Sequence, residues 1–257
     1  MVFLFLVGFP DLKAMKTKEI GLKKYKWILL FLAAGIILAV GTYVIYRVWF
    51  SNQGRTMKVL SFIRSPEKHQ DLILPARSRC GDTPFILPTS GMIGFIWGDS
   101  FRPGHKHQGI DIFSGTDVGV TPIYAAYDGY LTRSEDWKSS VIIRVPNDPL
   151  MPDRQIWTYY THMADPSGSS LISEAFPPGT QEVFVSAGTL LGYQGNYSGT
   201  PGNPTGVHLH FSIVKDDGNG LYLNELEFGN TLNPSPYFGL ALNARENSDS
   251  IPTCLAP

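Results

Sequence analysis

The stretch Val207-His208-Leu209-His210-Phe211-Ser212-Ile213-Val214 is followed by the turn-rich Lys215-Asp216-Asp217-Gly218-Asn219-Gly220 and then by a second apolar run, Leu221-Tyr222-Leu223-Asn224-Glu225-Leu226. Two β-prone runs on either side of an Asp-Gly turn are the signature of a β-hairpin. Along the first run the side chains alternate. On an extended strand residues i and i+2 point to the same face, about 7 Å apart. His208 and His210 therefore share one face of the strand.

The same texture runs through the rest of the chain from about Arg79 onward. Short apolar stretches occur at Pro122–Ala126, at Tyr130–Arg133 after the Asp128-Gly129 turn, at Val141–Val145, at Ile156–Met163 and at Glu182–Ser186. Each is bounded by Gly, Pro, Asn or Asp, and no long amphipathic helix is expected among them. Many short strands with frequent turns predict an all-β domain, a small antiparallel sheet or sandwich. The Ser/Pro/Gly-rich segments Asp165–Gln181 and Gly192–Gly206 each adjoin a histidine segment. They are expected to be long loops walling a cleft.

Five of the six histidines fall in three tight segments: His105-Lys106-His107, His162 and His208-Leu209-His210. In His107-Gln108-Gly109-Ile110-Asp111 the glycine allows a bend that lets a His and an Asp four apart converge on one ion. Zinc favours imidazole and carboxylate ligands, and a catalytic zinc keeps three protein ligands with one open position. His107, Asp111 and His210 form such a set. His105 is expected at the rim with no chemical role. Neither a His-Glu-x-x-His helix nor a Gly-x-Ser-x-Gly elbow occurs, so a glutamate-base zinc protease of that type and a serine hydrolase are disfavoured.

Taken together, His107-x-Gly-Ile-Asp111, Tyr160-Thr161-His162 and His208-Leu209-His210-Phe211 resemble the lysostaphin/LytM-type zinc endopeptidases. The resemblance covers roughly residues 85–237. It includes Pro122-Ile-Tyr-Ala-Ala, Ala187-Gly188 through Gly195, Thr205-Gly206 and Asn233-Pro234. It implies one zinc per domain on His107, Asp111 and His210, with His162 and His208 as the catalytic histidines, and an antiparallel β fold of the duplicated hybrid motif kind. It also implies a substrate in the peptide part of bacterial peptidoglycan, cut internally. Which of His162 and His208 is the general base stays open. Two other readings follow from the same resemblance: a zinc-free binding or amidase-activating module, and a zinc amidase or carboxypeptidase on the same polymer. Ser212 stands where a glutamate is frequent in the family, and Ser114–Val120 and 165–181 are longer than in short members.

The N-terminal part reads differently. Trp27–Tyr46 is twenty residues without a charge, about 30 Å as a helix and enough to span a hydrocarbon core. The run exceeds the usual 7–15 residues of a signal-peptide apolar region. Six lysines precede it, Lys13, Lys16, Lys18, Lys23, Lys24 and Lys26, which places the N-terminus in the cytoplasm. The expected organisation is a cytoplasmic tail at 1–26, a transmembrane helix at 27–50, a polar juxtamembrane linker at 51–78 and an extracytoplasmic domain at 79–257. Translation could start at Met1 or Met15. Residues 51–257 carry fourteen Lys/Arg against twenty Asp/Glu, a net of −6, which argues against nucleic acid as a partner. Cys80 and Cys254 bracket the domain. Outside the cytoplasm such a pair is expected to form a disulfide.

Overall fold

Residues Leu209–Lys215 form the strand on which the domain is built, and they are buried along almost their whole length. In the computed structural model, residues 20–50, 53–100 and 104–254 are described. The chain divides into two compact units, Met1–Arg47 and Val48–Pro257. Helix α1 (Ile20–Phe50) contains Tyr25–Tyr46, a stretch of 22 residues long and apolar enough to cross a membrane. It is the single such helix among the described residues. The tail expected at 1–26, including both candidate starts and Lys13, Lys16 and Lys18, lies largely outside them.

The second unit is mostly antiparallel β-structure. Its strands are β1 (Met92–Phe95), β2 (Ile110–Phe113), β3 (Pro122–Tyr124), β4 (Gly129–Thr132), β5 (Val141–Val145), β6 (Ile156–Thr161), β7 (Val183–Val185), β8 (Leu190–Tyr193) and β9 (Leu209–Lys215). Seven of them make one sheet in the order β1-β2-β9-β6-β5-β4-β7, and β3 and β8 pair separately. The core lies between these layers, with Ile110, Ile143, Tyr160, Leu209, Phe211 and Ile213 fully buried. Cys80 and Cys254 are joined in a disulfide across 174 residues of sequence.

The fold departs from the sequence reading in three places. First, Leu221–Leu226 is not a strand. The turn closes with an Asp216–Tyr222 bridge and Leu223 N–H donates to the Lys215 carbonyl at 3.0 Å, after which the arm leaves the sheet. One edge of β9 is taken by β6 and the other by β2 as far as Phe211; beyond it Thr231 bridges Val214 and Leu232 N–H donates to the Ile213 carbonyl at 2.8 Å, so that edge is occupied by a later segment.

Second, the segment read as a linker contains helix α2 (Gln53–Arg64), followed by two short 3₁₀ turns at Pro66–Lys68 and Gln70–Leu72. Val59 and Phe62 of α2 are buried against Met92 and Phe113. Thr56, Val59, Leu60 and Ile63 do have the i, i+3, i+4, i+7 spacing of an apolar helix face. The basic and polar residues between them masked it.

Third, of the two loops only 192–206 lines the cleft. Asp165–Gln181 folds back on the body of the domain, burying Ile172 and Phe176. Arg133 pins it by donating to the Phe176 carbonyl at 2.7 Å and to Ser170 Oγ at 3.0 Å.

Candidate metal centre

Strand pairing assembles the site. In the β2–β9 ladder Asp111 is directly opposite His210, and in the β6–β9 ladder Thr161 is opposite His210, so His162 follows immediately. Directly paired residues hold their Cβ atoms about 4.5–5.5 Å apart, close enough for a carboxylate and an imidazole to meet. His107 comes from the turn before β2. Its N–H donates to the Asp99 carbonyl at 2.7 Å, and its own carbonyl accepts from Gly98 N–H at 2.8 Å. Gly109 is required here for close approach: a Cβ on it would lie 2.1 Å from the Phe211 carbonyl oxygen.

Three ligand atoms converge as a result. His107 Nε2 lies 3.1 Å from Asp111 Oδ1 and 3.0 Å from His210 Nδ1, and His210 Nδ1 lies 2.8 Å from Asp111 Oδ1. All three residues are buried. The remaining ring nitrogens show which way the lone pairs point. His107 Nδ1–H donates to the Ile96 carbonyl at 3.1 Å, and His210 Nε2–H donates to Glu225 Oε1 at 2.9 Å. With the distal nitrogens so committed, His107 Nε2 and His210 Nδ1 are the ring atoms turned toward Asp111 Oδ1. Two ring nitrogens and a carboxylate oxygen at about 3 Å stay together when a proton or a metal cation lies among them. A donor triangle of this size accepts an ion about 2.0–2.2 Å from each atom, so the residues fit zinc.

The electrostatics agree. Burial works to raise the Asp111 carboxyl, yet the neighbouring His107 and His208 hold it well below the usual carboxylate range. Burial works against a charge on His210, but the hydrogen bonds it donates to Asp111 and Glu225 outweigh it and carry the ring up to about 10, a positive charge that a bound metal ion would replace. The pocket draws positive charge to this point.

His162 and His208 stand beside the triangle, with ring centroids 4.4 Å apart. His208 stacks on Phe113 at 4.9 Å, its Nδ1–H donates to the Gly206 carbonyl at 2.7 Å, and its Nε2 lies 3.7 Å from Asp111 Oδ1. His162 Nδ1–H donates to the Tyr197 carbonyl at 2.6 Å. Burial, reinforced by His208, pushes His162 down to about 3. Burial also lowers His208, against the pull of Asp111. Both rings are thus neutral at pH 7 and present a bare Nε2. His162 has φ of +72°, a left-handed conformation that a non-glycine residue adopts at a cost of roughly 1–3 kcal/mol. Gly195 packs so tightly beneath it that a Cβ would meet the His162 carbonyl oxygen at 2.4 Å.

All five residues face a cleft of about 710 Å³. Its walls include α2 through Val59, Leu60 and Ile63, loop 192–206 through Tyr197, and the hydroxyls of Ser140, Tyr159 and Thr161. His105 lines the cleft but contributes no atom to the triangle. Two participants were not singled out in the sequence, the α2 wall and Glu225. Glu225 carried no signal, because its partner His210 lies fifteen residues away across a turn.

No family model matches the chain, and no curated protein matches it. Among solved structures it is similar to Csd3 of Helicobacter pylori, with 22% identity over 55% of this chain and 33% of that one and a TM-score of 0.33. A putative glycyl-glycine endopeptidase LytM from Ruminococcus gnavus is 25% identical over 50% of this chain and 44% of that one, with a TM-score of 0.33. The catalytic domain of the prophage-encoded M23 protein EnpA from Enterococcus faecalis, solved as a point mutant, is 24% identical over 60% of this chain and 98% of that one, with a TM-score of 0.35. The chain thus spans a third of the length of Csd3 and less than half of the Ruminococcus protein.

Proposed function

We propose that this chain is a membrane-anchored zinc metalloendopeptidase of the lysostaphin/LytM type that hydrolyses peptide crosslinks of bacterial peptidoglycan. One observation carries the reading. Three potential ligand atoms of His107, Asp111 and His210 meet within 3.1 Å of one another, and two further imidazoles line the same cleft.

A bound zinc supplies an ionisable water near neutral pH and polarises the scissile carbonyl. Proton handling falls to the chain's own residues. His162 and His208 each commit Nδ1–H to a backbone carbonyl, so each accepts a proton at Nε2. The ring that takes it becomes an imidazolium and returns the proton to the leaving amine. The cleft is open and lined by apolar and hydroxyl side chains, which suits an extended peptide.

The test uses the full chain in detergent with purified sacculi, profiling released muropeptides by mass. Crosslinked dimers are expected to disappear as matching monomers accumulate. His162→Ala and His208→Ala should retain zinc and cut about 10²-fold more slowly or worse. No release by zinc-loaded protein would favour a binding module. Free stem peptides would identify an amidase, and loss of a terminal residue alone a carboxypeptidase.

Tyr25–Tyr46, preceded by the lysine cluster, anchors the enzyme with its N-terminus inside and Val48–Pro257 outside the cytoplasmic membrane. Protease added to spheroplasts should then degrade the β domain. A domain protected until lysis would reverse this topology.

A further inference from the structure

We propose that Glu225 is a positioning residue for the metal: its carboxylate orients the imidazole of His210 from behind. The inference rests on the metal reading above. Glu225 Oε1 accepts from His210 Nε2 at 2.9 Å, while the opposite nitrogen of the same ring points into the donor triangle. Four imidazoles surround the centre. His107, His162 and His208 each give the distal N–H to a neutral backbone carbonyl. His210 gives it instead to a full negative charge.

A carboxylate behind a ligating imidazole fixes its tautomer and makes the metal-facing nitrogen more basic. Here it also balances charge. A dication on His107, Asp111 and His210 would leave one uncompensated positive charge in a buried site, which is costly to retain. Glu225, itself mostly buried with 13% of its side chain exposed, supplies the second negative charge.

The fold builds this contact deliberately. Ser212 lies two residues after His210 on β9, is 1% exposed, and its small side chain stands beside Glu225. The carboxylate therefore arrives from the arm that leaves the sheet. That arm is held at both ends of the contact: Leu223 N–H bonds to the Lys215 carbonyl at 3.0 Å, and Gln108 Nε2, from the residue after His107, donates to the Leu226 carbonyl at 2.8 Å.

The test is zinc affinity of the full chain in detergent, measured by competition with a chromophoric chelator, for wild type, Glu225→Ala and Glu225→Gln. Alanine should weaken zinc about 10- to 100-fold. Glutamine keeps an acceptor oxygen without the charge and should fall between alanine and wild type. Both variants should keep the metal-free fold by circular dichroism, which separates this role from a structural one. Should alanine not fold, the near-isosteric glutamine still carries the test. Wild-type affinity in both variants overturns the proposal while leaving the metal centre in place. Loss of zinc as complete as in Asp111→Ala would make Glu225 a ligand, also overturning it. A wild-type chain that takes up no zinc would overturn the metal reading itself.

Discussion

Alanine at Asp111 or at His210 is expected to abolish stoichiometric zinc, and hydrolysis with it, while the β domain stays folded. Each residue supplies one of three converging donors, and the remaining two cannot hold a three-ligand site. The fold should survive because the pairing that carries these side chains depends on their neighbours. Ile110 and Ile112 flank Asp111, and Leu209 and Phe211 flank His210, all at most 1% exposed on the opposite face. Removing Asp111 also removes the anion that favours charge on His210, so alanine does not strand a buried unpaired cation there. Metal analysis of purified full-length protein, with circular dichroism to verify folding, decides the matter. One equivalent of tightly held zinc in either variant would sink the ligand assignment.

Arg55→Ala should be strongly destabilising although Arg55 lies outside the cluster of histidines. Arg55 is 3% exposed. It donates to the Ser250 carbonyl at 2.6 Å and the Asn247 carbonyl at 2.7 Å, and its Nε lies 3.1 Å from Asp99 Oδ2. Asp99 Oδ2 also accepts from Ile96 N–H at 2.8 Å. The same residue's carbonyl holds the His107 backbone N–H. Arg55 therefore ties α2 and the C-terminal segment to the turn that presents His107. Removing one partner of a buried ion pair costs about 3–5 kcal/mol, or roughly 6–20 °C in Tm for a domain of this size. Part of this should return in Arg55→Ala/Asp99→Ala, where the stranded carboxylate is gone. Zinc affinity should fall alongside stability in the single variant. A loss below about 1 kcal/mol in thermal or denaturant unfolding would contradict this account.

The arrangement changes how the segment after α1 is understood. Read as a polar linker, it would only separate the membrane from the catalytic domain. As α2 it forms one wall of the cleft through Val59, Leu60 and Ile63 and packs Val59 and Phe62 into a small core with Met92 and Phe113. Truncation at Arg79 would remove that wall, so substrate work belongs with the full chain.

Features set by short covalent spacing were legible in the sequence itself. His208 and His210 share a face because strand side chains repeat every two residues. His107 and Asp111 converge because a bend at Gly109 separates them by only four positions. The charge-free span, the all-β texture and the Cys80–Cys254 pair were equally plain from composition and position. Tertiary structure alone decided what depends on partners distant in sequence: the register that sets Asp111 against His210, the nitrogen each imidazole turns toward Asp111, the departure of Leu221–Leu226 from a sheet whose β9 edge is taken by β2 and by Thr231, and the placement of Glu225 and Arg55. Local periodicity reports which face a side chain takes, but it contains no term for what packs against that face. That choice follows from burying the whole chain at once.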